Sequence, residues 1–325
     1  MMLVAVLFPV VVEAQENNDS IAFDFRSFVA KNFSRYRTMN FSYETKPTHE
    51  YVLSAKGNEI ERGKKTDLHT IRFSTMIPLV KMRNVSFYAN CSYSCYKFQN
   101  DGDRGSSVFR DDGYDYYYGG FNGSYYAMLF SKPLILSAEL AVDGWDKGWG
   151  KIQALASVLM VLKNEERTKF SAGLMGMTLF SSTPVIPVIG YWHRFSNPDW
   201  SIDISLPSQM YVRYQREHHR FSMGAKMSAE SFYVSPAIED VPSLCFYKEA
   251  MLSPEVLYEY IISRHFYVSA RAGLSVVLKS GLYTENRKEI EIVDVDGECR
   301  ESLIVEQKRS PIPFVHVGLS YSLFK

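Results

Sequence analysis

The chain holds 325 residues, with 36 Lys plus Arg against 36 Asp plus Glu, and it is rich in rings, with 22 Tyr and 21 Phe. That balance leaves no global field to attract nucleic acid or anionic lipid, and it argues against a nucleic-acid protein. No apolar stretch beyond the first dozen residues is long enough for a membrane helix, which excludes a helical membrane protein. The length suits two soluble domains or one large barrel, and the aromatic content suits a barrel with rings at both interfaces and in its lumen.

Residues 1–12 form an apolar run too short to span a bilayer, and Val12 and Ala14 place small residues where a signal peptidase reads. A signal peptide over 1–14 is predicted, cleaved after Ala14; the alternative is a buried N-terminal strand. No Lys or Arg precedes the run, which points to a true translation start further upstream. Residues 15–34 read as a periplasmic segment or plug, and 35–325 as the barrel.

The strand series begins at 35–44. In the next clear strand Val85, Phe87, Ala89, Cys91, Tyr93 and Cys95 oppose Ser86, Tyr88, Asn90, Ser92, Ser94 and Tyr96, as period two requires. Leu134 to Val142 alternates likewise, whereas 151–162, 169–180 and 184–193 are apolar on both faces and give strands without a facing. Trp200, Ile202 and Ile204 alternate with polar residues, and Tyr211, Arg213 and Gln215 form an inward row. Phe221, Met223 and Met227 point outward against Arg220, Ser222, Lys226 and Glu230, and Val256, Tyr258 and Tyr260 outward against Glu255 and Glu259. His265 to Leu278 is the cleanest strand, with His265, Tyr267, Ser269, Arg271, Gly273 and Ser275 inward. The last, 313–324, sets Val315, Val317, Leu319, Tyr321 and Leu323 against His316, Gly318, Ser320 and Ser322, and resembles the terminal strand of an outer-membrane barrel.

Tight turns near 81–84, 131–133, 164–166, 197–199, 217–219 and 263–265 fall on one side, which is periplasmic if the C-terminus is. The long polar connections 46–66, 98–120, 236–253 and 279–310 fall on the other. The fold class is therefore all-β, a transmembrane antiparallel barrel of about fourteen strands, with twelve as the fallback if the pair around Pro207 is one bent strand. The terminal strand is expected to close against 35–44. Within the last loop, 289–295 and 301–307 flank Asp296-Gly297 and read as a hairpin. The Asp- and Gly-rich loop 98–120 lacks the ligand order of a calcium loop and reads as a disordered or adhesive tip.

Cys91 and Cys95 lie on one strand face, roughly 13 Å apart, too far to bridge, and read as packing residues. Cys245 and Cys299 sit in separate polar loops of an exported chain, so a disulfide between them is a candidate. No zinc-ligand spacing is present, and no metal or cofactor is expected. Sequons at Asn32, Asn40, Asn84, Asn90 and Asn122 have no role in a bacterial barrel.

The run Pro184-Val-Ile-Pro-Val-Ile-Gly-Tyr191, then Trp192, Phe195, Asn197, Pro198, Trp200, Leu206-Pro207 and Arg213-Tyr214, resembles a family of outer-membrane barrels common in Bacteroidota and labelled as a domain of unknown function. The resemblance implies fold and location, in the outer membrane of a Gram-negative bacterium, and carries no catalytic motif.

The inward rows offer Glu44, Arg72, Glu139, Asp143, Asp203, Arg213, Lys226, Glu230, Glu255, Glu259 and Arg271 as lumen candidates. Arg213 is expected to pair with Glu230, and Arg271 with Glu255 or Glu259, sealing the lumen; hydrated, the same groups line a weakly selective pore. His69 and His193 are the histidines well inside strands, and neither has a nucleophile motif nearby. No catalytic residue is assigned. A passive channel or small-solute transporter is the leading expectation, a closed barrel presenting loops for adhesion or partner binding the second, and a rim lipid hydrolase a distant third. Expected partners are outer-membrane lipid and, during biogenesis, barrel-assembly machinery; solute or surface partner is not identified.

Overall fold

The computed structural model describes residues 37–323, apart from 56–57, 83, 103–107, 110–112, 178–184, 237–241, 285–289, 294–298 and 304. The predicted signal peptide 1–14 and segment 15–34 lie outside the described residues. The strands are β1 (Met39–Lys46), β2 (His49–Ala55), β3 (Asn58–Lys81), β4 (Val85–Gly102), β5 (Gly113–Leu129), β6 (Lys132–Trp145), β7 (Gly148–Asn164), β8 (Thr168–Met177) and β9 (Val185–Arg194). They continue as β10 (Trp200–Leu206), β11 (Gln209–Arg216), β12 (His219–Val234), β13 (Cys245–Ile261), β14 (Phe266–Thr284), β15 (Ile290–Val293), β16 (Cys299–Leu303), β17 (Val305–Lys308) and β18 (Ile312–Tyr321).

Each of β3 to β14 pairs antiparallel with its sequence neighbour, and the sheet closes through β1, which pairs with β3 on one side and β18 on the other, β18 in turn pairing with β14. Fourteen staves therefore ring the barrel: β1, β3 to β14 and β18. Pro207 lies in the turn between two separate strands, β10 and β11, so the pair is not one bent strand. The tight turns stand together at one end because antiparallel strands alternate direction. Phe130 and Ser131, both at positive φ, make the two-residue turn between β5 and β6, the backbone that matches strand twist.

Facing follows the alternation. Phe221, Met223, Val256, Val268, Val315 and Val317 are 42–70% exposed on the outer face, while Arg220, Ser222, Glu255, Tyr267 and His316 are at most 5% exposed inside. Exposed apolar side chains encircle the barrel, from Phe41 on β1 through Phe121, Leu140, Ile152 and Leu174 to Met210 and Leu319.

Away from the tight turns, the barrel changes character along one line. β3 slips register between Thr66 and His69, with Asp67 at φ 52°. The ladder of β13 with β14 slips between Ala250 and Met251. At the same level β1 gives way to β2, and β18 to β17. Each slip exchanges the inner and outer faces: on β3, Thr70 and Leu68 point inward below it and Lys65 above. Above this junction β17, β2, β3, β4 and β5 run on beside one another, as do β12, β13 and β14. β5 meets β12 across the bore, and Ser280 of β14 bonds both backbone groups of Gln307 on β17. The result is a narrower tower of eight staves on a fourteen-stave base.

Several expectations are corrected here. The connections 46–66, 236–253 and 279–310 are not simply loops, because β2, β3, β13, β14 and β17 carry strand through them into the tower. In segment 98–120, β4 runs to Gly102 and β5 starts at Gly113, and Val108 and Phe109 tuck inside the tower rather than forming a protruding tip. The 289–307 hairpin exists as β15 paired with β16, but residues 305–307 leave it to pair with β2.

Candidate functional site

The chemistry of this molecule lies in its bore, which divides into layers. At the top, thirteen buried residues form one cluster, among them Tyr51, Phe98, Phe109, Tyr114, Phe232, Tyr247 and Leu282. Phe232 stacks on Tyr114 at 4.8 Å between ring centres, and Phe109 meets Tyr247 edge-on at 5.2 Å. Lys65 Nζ lies 3.6 Å from the Phe109 ring centre and donates to Gln307 Oε1 at 3.2 Å. Eight staves enclose a bore that side chains can fill, and here they fill it.

The seam between β5 and β12 is tied by Asp143, which is fully buried. Its carboxylate accepts from the Lys151 backbone N–H, Gln153 Nε2 and Tyr116 Oη, each at 2.8 Å, and from Tyr233 Oη at 3.0 Å. Tyr233 sits on β12 and Asp143 on β6, so this bond crosses the bore. Gly150 beside them leaves the room, since a Cβ there would lie 2.0 Å from Tyr233 Oη.

Directly beneath the tower core is an ionic layer. Lys46 Nζ donates to Glu230 at 2.7 Å and lies 3.5 Å from Glu44; Arg72 reaches Glu230 at 3.0 Å and Glu44 at 3.5 Å. Arg309 pairs with Glu249, which also accepts from Tyr247 Oη at 2.8 Å. A second layer lies toward the tight turns. Arg37 and Arg220 share the Glu259 carboxylate at 2.6 and 3.0 Å, Arg37 covers the Tyr267 ring at 3.8 Å, Arg213 pairs with Asp203, and Arg271 approaches Glu255 at 3.7 Å. Buried ions at such closeness hold because each carries an opposite partner and further hydrogen bonds.

Among the described residues, two cavities lie in the base. One, about 410 Å³, lies against β1, β12 to β14 and β18, lined by Glu44, Lys226, Glu255, Arg271, His316 and many serines. The other, about 680 Å³, lies against β3 to β10.

All eleven lumen candidates, Glu44, Arg72, Glu139, Asp143, Asp203, Arg213, Lys226, Glu230, Glu255, Glu259 and Arg271, stand on the inner wall or line these cavities. Arg271 meets Glu255, whereas the expected Arg213–Glu230 pair is not formed. Arg213 lies opposite Ser222, and Glu230 is eight residues further along β12, roughly 26 Å away. Glu230 instead bonds Lys46 and Arg72 across the bore. Glu139 accepts from Tyr118 Oη and, at 3.4 Å, from Asn122 Nδ2.

The proposed Cys245–Cys299 disulfide is corrected as well: Cys245 is a free, fully buried thiol in the tower core, its Sγ on the Pro242 carbonyl, while Cys299 belongs to the separate β15–β16 hairpin. Lys46, Lys65, Glu249 and Arg309 were missed because they lay in segments read as loops. The alternation of Tyr51 and Leu53, or of Tyr247, Glu249 and Met251, is the signal that marks those segments as strand. His69 bonds Tyr43 Oη at 2.7 Å, and His193 bonds Thr168 Oγ1 at 2.9 Å.

No protein-family model matches the sequence, and no curated protein matches it either. Among solved structures, the chain is similar to the transport unit of the autotransporter AIDA-I from Escherichia coli, at 9% identity over 95% of this chain and 100% of that one, with a TM-score of 0.39. It is similar also to an outer membrane channel from Pseudomonas putida F1 (7% identity, 87% of this chain, 94% of that one, TM-score 0.35). A third is the outer membrane protease OmpT from Escherichia coli (10% identity, 88% and 97%, TM-score 0.31). The activities in these names differ from one another, and none is carried over to this chain.

Proposed function

We propose that this chain is an outer-membrane β-barrel sealed at its external end, and that it works by holding the rigid tower above the lipid for contact with a partner at the cell surface. The packed tower core carries this reading, because a straight path through the bore has to cross a cluster whose members are almost all under 5% exposed. The girdle of exposed apolar side chains around the base supports the lipid setting, since such a belt is costly in water. With tight turns periplasmic, the tower faces outward, and its outer face carries Lys64 with Glu50 and Arg62 with Glu59 in place of apolar residues.

The passive channel ranks second, favoured by the two cavities of the base but opposed by the seal above them. Planar-bilayer recording of the refolded full chain tests the order: no steady conductance is expected, and a wild-type single-channel current overturns it. Labelling intact cells with a membrane-impermeant maleimide tests orientation through Lys64→Cys, which is expected to react; absence of reaction overturns the outward tower.

A further inference from the structure

We infer that the 680 Å³ cavity is a binding chamber for an uncharged amphipathic small molecule, apolar over most of its surface and carrying one hydrogen-bonding group. Three observations lead there, none depending on the tower's role.

The first is the wall. Barrel lumens that hold only water are polar, and strands facing one alternate. β7 and β9 do not, because Leu155, Leu159, Val188 and Trp192 line the cavity, with Met175 of β8, while Ile152, Val185 and Ile189 are exposed on the outer face. Apolar side chains toward a cavity this large hydrate poorly, and a ligand's apolar surface would cover them.

The second is the polar stretch of the lining. Asn122 on β5 lies in register with Glu139 on β6, and Ser124 with Ser137 and then Ser157 on β7. These amide, carboxylate and hydroxyl groups, with Ser171 and Ser205 further round, set hydrogen-bonding points in a lining that is otherwise largely apolar, which selects an amphipath over a hydrocarbon.

The third is charge. The lining holds two acids, Glu139 and Asp203, and two bases, Arg37 and Lys169. Arg37 is bound to Glu259, Asp203 to Arg213, Lys169 to Asn164 Oδ1 at 2.6 Å, and Glu139 to Tyr118 and Asn122. The lining therefore carries no net charge, and a charged ligand would lose its hydration without a net opposite charge to replace it. The volume falls within the range of ordinary small-molecule sites.

The test uses the full chain in lipid nanodiscs, with 1-naphthol as the neutral probe and 1-naphthalenesulfonate as its charged counterpart, measured by equilibrium dialysis against empty nanodiscs. Saturable naphthol binding above the empty-disc level is expected, with the sulfonate weaker by about tenfold or more. Ser157→Phe fills the chamber and is expected to weaken naphthol binding by about tenfold, while Ser253→Phe, in the smaller cavity, changes it less than about twofold. Should Ser157→Phe fail to give the heat-modifiable band of a folded barrel, Leu155→Asn, close in size but polar, takes its place with the same expected loss. Uptake no greater than lipid partitioning, equal affinity for the sulfonate, or undiminished binding by the folded chamber variant overturns the inference.

Discussion

The tower and the base are built from the same long strands, yet one is filled and the other is hollow. β3, for one, runs through both, from Asn58 to Lys81. Above the junction eight staves enclose a bore matched to side-chain size, and Phe98, Phe109 and Phe232 pack it without a path; below, fourteen staves enclose more space than their side chains reach, leaving 410 and 680 Å³. Stave number thus decides whether the lumen is a core or a chamber. The ionic layer of Lys46, Arg72, Glu44 and Glu230 lies where one regime passes into the other.

That boundary layer is where the comparison breaks most readily. Glu230→Leu leaves Lys46 and Arg72 short of a buried carboxylate and is expected to destabilise the barrel by about 3–5 kcal/mol, measured as a lower denaturant midpoint of the refolded protein. An unchanged midpoint would mean that the layer is hydrated and that tower and base are not divided there.

Phe109→Ala acts on the tower alone. Removing a ring in contact with Phe98, Phe232, Tyr247 and the Lys65 ammonium is expected to cost about 3 kcal/mol. Limited proteolysis should then cut tower segments sooner while the base keeps its heat-modifiable mobility. Loss of both together would show one cooperative unit.

The smallest effect belongs on the tower's outer surface. Lys64→Ala removes an exposed pair with Glu50 at 3.5 Å and is expected to shift stability by less than about 1 kcal/mol. A larger loss would place Lys64 in a contact with something other than water, and would sharpen the surface-partner reading.

Much of the base was legible because its signal is local. The alternation of Phe266, Val268 and Leu274 with Tyr267, Ser269 and Ser275 fixes the lipid and lumen faces, and the closure of β18 on β1 is expected once the turns sort by end. The tower was hidden because Lys46–Pro47 and Thr66–Asp67 interrupt the alternation, and a face exchange at each slip reads in one dimension as a loop. β7 to β9 were legible as strands without a facing; the cavity supplies the reason, since both faces are in fact apolar.

The sequence by itself determined the all-β barrel pattern, the end at which the tight turns lie, the stave count and the inward facing of base charges such as Glu255, Glu259 and Arg271, because each follows from period two and from turn residues close along the chain. Only the tertiary structure decided that Glu230 meets Lys46 and Arg72 rather than Arg213, that Asp143 ties β6 to β12, and that the bore narrows from fourteen staves to eight. Partners across a bore are set by strand number and stagger around the whole ring, and no local repeat in the chain records those quantities.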